Sequence, residues 1–316
     1  MRILVVTPAP GRSRKGNGIT AQRWARLLRE IGHRVAIVQH YERQPCDLMI
    51  ALHARRSHRS IKRIHEERLE IPLILALTGT DLYGDIRSNG SAKLSLDIAD
   101  RLIVLQPLGI SELPKKLQSK TRVIYQSVEK PPGIYRPRQD AFEVAVVGHL
   151  RPVKDPLRTA RAARLLPDSS DIRVLHLGKA LTKTMDRAAR SEELTNPRYR
   201  WLGELPRWKV MRVLARCRLQ SLTSKMEGGA NVVSEAAVCS VPVISSNISG
   251  SVGLLGKDYP GYFPVGDTKA LAYLLNRAED DSRFYSSLRA KCNELKTFFT
   301  PARERDAWKK LLAEIT

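Results

Sequence analysis

Residues 220–245 read QSLTSKMEGGANVVSEAAVCSVPVIS, and their order decides the fold class. An apolar strand at Gln220 to Leu222 is followed by a glycine-bearing loop, a stretch of helical length and a second strand at Val241 to Ser245. Strand, loop, helix and strand in that order build two parallel strands joined by a right-handed crossover. Glu227 falls in the loop, and Glu235 lies eight positions later inside the helix, about two turns deeper. An ionised carboxylate accepts hydrogen bonds from two vicinal hydroxyls at once, which suits a sugar ring or a ribose. Gly228 and Gly229, with Ala230, Asn231 and Val232 after them, offer backbone N–H groups at the helix start, where a diphosphate or sugar oxygen binds well. The same spacing also fits a plainer arrangement in which Glu227 caps the helix and Glu235 faces solvent.

The alternation of strand and helix extends in both directions. Upstream of this segment come EVAVVGHL from Glu143, a helix after Asp155, and strands at Arg173 to Leu177 and Arg200 to Leu202. Nearer the start, strands are expected at Arg2 to Thr7, Val35 to Val38, Asp47 to Leu52, Leu73 to Leu77, Arg101 to Leu105 and Arg122 to Tyr125. A helix runs from Ile19 to Ile31 with Trp24, Leu27 and Leu28 on one face, and another lies near Ala92 to Ala99. The proline-rich EKPPGIYRPRQ, Glu129 to Gln139, breaks the pattern and reads as a linker. The fold class is therefore α/β, with two Rossmann-like, doubly wound domains: residues 1–130, then 141–300, with a last helix at 301–316 packing back on the first. The expected binding place is a cleft between the two lobes.

At 316 residues the chain is long enough for two such units of roughly 150 residues. No apolar run reaches the roughly 18 residues that span a bilayer, and MRILVVTPAP lacks a signal h-region, so a cytoplasmic protein without membrane insertion is expected. Cys46, Cys217, Cys239 and Cys292 show neither a CxxC pair nor metal-ligand spacing, so no metal or other cofactor is expected. The net charge of +22 admits nucleic acid, an anionic membrane or small acidic substrates and does not choose between them, but it is spread from Arg2 to Lys310 with few aromatics beside it, so nucleic acid is not expected.

Two further segments carry chemistry. In Gly148-His149-Leu150-Arg151-Pro152-Val153-Lys154-Asp155, two cations follow a buried strand at the edge of a parallel sheet where ligands of such sheets bind. Arg151 can grip phosphate with two N–H groups and Lys154 adds a compact charge; a solvated basic turn is the alternative. His149 stands beside them as a further candidate for the donor. In Lys15-Gly16-Asn17-Gly18, two glycines precede a helix N-terminus, which fits either an anion site or a plain turn. The remaining histidines share no ligand spacing and are expected in packing or at the surface.

With these segments in view, the chain resembles the retaining glycosyltransferases of family four with the GT-B fold, over nearly its whole length. VGHLRPVKD looks like that family's G-R-L-x-x-x-K-G segment, and Glu227 with Glu235 looks like its pair of glutamates separated by seven residues. The resemblance implies that Arg151 and Lys154 hold the donor diphosphate, Glu227 the transferred sugar and Glu235 the ribose. Long phrases are closer still to the selenosugar synthases of selenoneine biosynthesis: NGITAQRWARLLREIGHRV, CDLMIALHARRS, ALTGTDLY, RLIVLQP and VIYQSV. These transfer N-acetylglucosamine or glucose from its UDP donor to selenophosphate, so the resemblance implies these partners here. On this reading Glu227 and Asn17 are catalytic. Gly16, Gly18, His149, Arg151, Lys154, Gly228, Gly229, Ala230, Asn231, Val232 and Glu235 bind the donor, and Lys15, Thr78, Gly79, Thr80 and Asp81 bind the acceptor. Many family members carry a histidine where this chain has Thr78-Gly79-Thr80-Asp81, a departure that suits an acceptor needing no base to remove a proton. A glycosyltransferase with a hydroxyl or lipid acceptor remains the alternative.

Overall fold

The computed structural model describes residues 1–9, 16–79 and 81–315, and it divides into two units, Met1–Ser127 with Phe299–Thr316, and Val128–Phe298. In the first unit, β1 (Arg2–Val6), β2 (Arg34–Val38), β3 (Leu48–Leu52), β4 (Leu73–Leu77), β5 (Arg101–Val104) and β6 (Thr121–Val123) form one sheet in the order β2-β1-β3-β4-β5-β6. Every pairing is parallel. β3 and β4 are buried along their whole length, because helices cover both faces of the sheet and an unbroken LMIAL or LILAL is needed to fill them.

The helices of this unit are α1 (Gly16–Glu30), α2 (His58–Glu67), α3 (Ile86–Ser88), α4 (Gly90–Ile98), α5 (Leu108–Ser111) and α6 (Lys115–Gln118). α1 begins three residues earlier than its apolar period indicates, so Gly16, Asn17 and Gly18 lie in its first turn and not in a preceding loop. Glycine costs a helix backbone entropy, and that cost weighs less in a first turn than in a helix interior. Trp24, Leu27 and Leu28 are buried as the period requires.

The second unit repeats the plan with β7 (Phe142–Val147), β8 (Ile172–Leu177), β9 (Tyr199–Gly203), β10 (Leu219–Leu222), β11 (Val243–Ser246) and β12 (Tyr262–Phe263). Their order is β12-β11-β10-β7-β8-β9, again wholly parallel. The strand order reverses direction between β7 and β10, the switch point where the loops after two adjacent strands diverge and leave room for a ligand. Helices α7 (Arg158–Ala163), α8 (Lys183–Thr195), α9 (Arg207–Leu214), α10 (Asn231–Val238), α11 (Ser249–Leu255), α12 (Thr268–Asp280) and α13 (Ser282–Leu295) connect or cover these strands.

The last helix, α14 (Pro301–Ala313), belongs to the first unit. Trp308 on it meets Trp24 of α1 edge to face at 5.0 Å between ring centroids. Glu304, only 2% exposed, accepts from Trp24 Nε1 at 2.8 Å and from the Ser127 backbone N–H at 2.7 Å. Among the described residues, no helix is long and apolar enough to cross a membrane.

Candidate active site

The loop after β7 is built against its neighbours from behind. His176 on β8 is fully buried and donates from Nε2 to the Gly148 carbonyl at 3.2 Å; its Nδ1 then accepts from the Tyr199 hydroxyl at 2.9 Å. A carbonyl can only accept, which fixes this tautomer. Burial pushes the imidazole down to about 4, so the ring stays neutral. Behind the same carbonyl stands Gly178, where a Cβ would lie 1.9 Å from the oxygen, so no larger residue fits. The adjoining His149 accepts from the Lys179 N–H through Nδ1 at 3.1 Å.

Past Gly148 the chain makes a 3₁₀ turn, Pro152–Lys154, and reverses at Asp155 with φ 43°. The turn is tied to the loop after β10: the Thr223 hydroxyl bridges the carbonyls of Lys154 at 3.0 Å and Asp155 at 2.9 Å, and the Lys225 N–H donates to the Val153 carbonyl at 2.8 Å. These ties bring Lys154 Nζ onto Glu227 Oε1, a pairing of side chains 22% and 11% exposed. The same carboxylate oxygen accepts from the Ser224 hydroxyl at 2.6 Å. Glu227 is therefore held by Lys154 and Ser224 and does not cap α10, whose N-cap is Ala230. Arg151 is exposed on the same turn, and among the described residues it makes no ion pair.

On α10, Glu235 is buried, with its side chain 7% exposed, and does not face solvent. Arg207, the first residue of α9, donates to its Oε1 at 2.5 Å. At the start of α10, Gly228, Ala230 and Val232 are buried, while Gly229 and Asn231 are half-buried; the Asn231 Oδ1 atom is buried and has no hydrogen-bond partner among the described residues. A buried amide oxygen without a partner is costly and marks a place where a ligand could complete the bonding.

Two further side groups were not legible as part of this site. Ser224 and Arg207 pair with carboxylates three and 28 positions away, and no motif joins either to its partner. His176 falls among the histidines expected in packing, and it does pack, but onto the carbonyl that opens the Arg151 and Lys154 turn.

In the first unit, Gly18 is buried, Asn17 half-buried and Gly16 exposed at the head of α1. Lys15 and Thr80 lie outside the described residues. Thr78 and Gly79 are half-buried at the end of β4. Asp81 is wholly buried and accepts from the Ala54 N–H at 3.0 Å and the Gly79 N–H at 2.9 Å, tying the loop after β3 to the loop after β4. Its position is that of a fastening for the loop and not of a group open to solvent. His53 sits against it, buried, with φ 78°, and its Nε2 lies 3.8 Å from Asp85 Oδ2. Burial lowers the His53 pKa and the nearby Asp81 raises it, with burial the larger effect.

Together these observations describe a second unit with paired cation–carboxylate contacts at the switch point of a parallel sheet. A family model for glycosyl transferases group 1 matches residues 128–296, more than half of the chain. The chain belongs to this family. No curated relative matches the sequence of this glycosyltransferase. Among solved structures, HepE of Anabaena in complex with UDP-glucose superimposes with a TM-score of 0.80 at 16% identity, covering 99% of this chain and 100% of that one. Sucrose-phosphate synthase of Thermosynechococcus elongatus gives 0.79 at 14% identity, covering 99% and 98%. The pneumococcal O-GlcNAc transferase GtfA, in complex with UDP and GlcNAc, gives 0.66 at 16%, covering 85% of this chain and 56% of that one. These likenesses are of fold, and the fold of this glycosyltransferase is GT-B.

Proposed function

We propose that this glycosyltransferase takes N-acetylglucosamine or glucose from its UDP donor and transfers it to selenophosphate. For the donor, Arg151 and Lys154 are assigned to the diphosphate, Glu227 to the sugar and Glu235 to the ribose, without a metal ion. Support comes from the paired charges at the switch point and from structures of the same fold that carry UDP-glucose, or UDP with GlcNAc.

The observation that carries the acceptor assignment is the meeting of two phrases. CDLMIALHARRS ends β3 and ALTGTDLY ends β4, and Asp81 joins them by accepting from Ala54 and Gly79. Both phrases are among those that resemble the selenosugar synthases, and both stand on one edge of one sheet. In this reading Thr78 and Gly79, with Thr80, Lys15 and the head of α1 at Asn17, receive the acceptor, and Asp81 fixes the loop that presents them. Selenophosphate brings a polarisable selenium that already has a lone pair available. Its bond to the anomeric carbon forms as the bond from that carbon to the UDP oxygen breaks, and the diphosphate leaves with the electron pair. No hydroxyl proton has to be removed.

The test is anaerobic incubation of the purified protein with UDP-N-acetylglucosamine or UDP-glucose and selenophosphate, read by mass spectrometry. A selenium-bearing sugar is expected. Efficient glycosylation of a hydroxyl or lipid acceptor with no selenium-bearing product would overturn the assignment.

A further inference from the structure

Glu235 stands apart from the other charged groups of the second unit. It lies in the middle of α10, where Val233, Ser234, Ala236 and Ala237 are all buried around it. Among the described residues its only ion-pair partner is Arg207, which comes from a different element. Arg207 reaches it from the first position of α9, just after Pro206, whose φ of −62° and ψ of 147° turn the chain into that helix. The arginine side chain is 44% exposed and the glutamate 7%, so the pair runs from the surface inward with the carboxylate at the inner end.

The orientation of a carboxylate so enclosed is set by whichever donor holds it. Each carboxylate oxygen has two lone-pair sites, so a carboxylate with one oxygen on a guanidinium can still accept from two hydroxyls. A planar guanidinium fixes the direction of its N–H bonds, which a flexible ammonium does not.

We propose that Arg207 is a positioning residue for ribose recognition: it holds Glu235 aimed so that the carboxylate accepts from the vicinal hydroxyls of the donor nucleoside. The proposal rests on the assignment of Glu235 to the ribose. Arg207 acts through Glu235 and takes no part at the anomeric carbon. Its loss therefore lowers selectivity for ribose over deoxyribose, a quantity that general loosening of the fold does not change.

The experiment measures calorimetric affinity for UDP and for 2′-deoxy-UDP in the full-length protein and in Arg207→Ala, Arg207→Lys and Glu235→Gln. The parent is expected to prefer UDP by about tenfold, the worth of one charge-assisted hydrogen bond. Glu235→Gln should reduce that preference severalfold, and Arg207→Ala should reduce it comparably. Arg207→Lys, which keeps the charge near the carboxylate and so preserves the fold, should fall between Ala and the parent. If Glu235→Gln loses the preference while both Arg207 variants keep it in full, the positioning role is overturned and the ribose assignment stands. If Glu235→Gln keeps the full preference, the ribose assignment fails and the role of Arg207 fails with it.

Discussion

Gly250, in the first turn of α11, stands so close to Glu227 that a Cβ on it would lie 2.0 Å from the Glu227 carbonyl oxygen and 3.0 Å from the Glu227 Cβ. The carboxylate assigned to the sugar is thus seated by a helix whose approach only glycine permits. Gly250→Ala must displace the loop or the helix. An overpacked contact of this kind costs about 1–3 kcal/mol of stability. Turnover should fall more than tenfold, and affinity for UDP should change with it, since the turn bearing Arg151 and Lys154 is tied to the Glu227 loop through Thr223, Lys225 and the Lys154–Glu227 pair. Gly90→Ala is the control, because a Cβ there has open space within 4 Å. Thermal unfolding and steady-state kinetics check both variants; equal behaviour of the two would refute the seating role.

His176 predicts a pH dependence of stability. Its pKa in the folded chain is about 4, against about 6.5 for an unperturbed histidine. Between those values the unfolded chain binds the extra proton and the folded chain does not. The contribution is therefore complete above about pH 6.5 and is lost as pH falls toward 4, amounting to about 3 kcal/mol. Denaturant titrations at pH 7, 5.5 and 4.5 should show this decline in the parent, and His176→Gln should flatten that portion of the curve while lowering stability at pH 7.

Much of this molecule can be read before it is folded. The apolar runs at Val144 to Val147 and Leu73 to Leu77 announce buried parallel strands, and the glycine loop before Glu235 marks the strand-to-helix turn. Lys154 and Glu227 stand out because each sits just after a strand end. What stays hidden is pairing at a distance. Arg207 is one more cation in a chain with 54 lysines and arginines until the fold brings the start of α9 within reach of Glu235, and Gly250 is one of 19 glycines until α11 meets the Glu227 loop. The short β12 carries only two residues, too few for a period to register. The early start of α1 is concealed because glycine weakens a helical reading even where a first turn tolerates it.

Glu304 predicts that the first unit depends on its last helix. Glu304→Ala removes the acceptor for Trp24 Nε1 and for the Ser127 N–H, and takes the counter-charge from Arg23, whose Nε lies 3.7 Å away. Breaking a buried ionic contact from one side costs about 3–5 kcal/mol. Glu304→Gln keeps one acceptor oxygen and should cost less, about half of that. Equilibrium denaturation of both variants checks the order, and a Glu304→Ala protein as stable as the parent would contradict it.

The last prediction concerns the pairing of Lys154 with Glu227. In the structure the lysine's charge is spent on Glu227 Oε1, which also accepts from Ser224. If Lys154 holds the donor diphosphate, an incoming phosphate must compete with that carboxylate, and the negative charge of Glu227 opposes the approach. Lys154→Ala should then weaken UDP binding about ten- to a hundredfold, the range for a lost charge-assisted contact. Glu227→Gln should do the reverse: with the competitor neutralised, the lysine is released to the diphosphate and UDP binds severalfold more tightly, although transfer of the sugar is lost. The double variant separates the two effects. Once Lys154 is gone, neutralising Glu227 should recover only the part of the gain that comes from removing a negative charge, so the two substitutions should not be additive. Calorimetry with UDP across the four proteins measures this coupling. Weakening of UDP binding by Glu227→Gln to the same extent as by Lys154→Ala would show that the two side chains serve the nucleotide together, and the competition described here would be wrong.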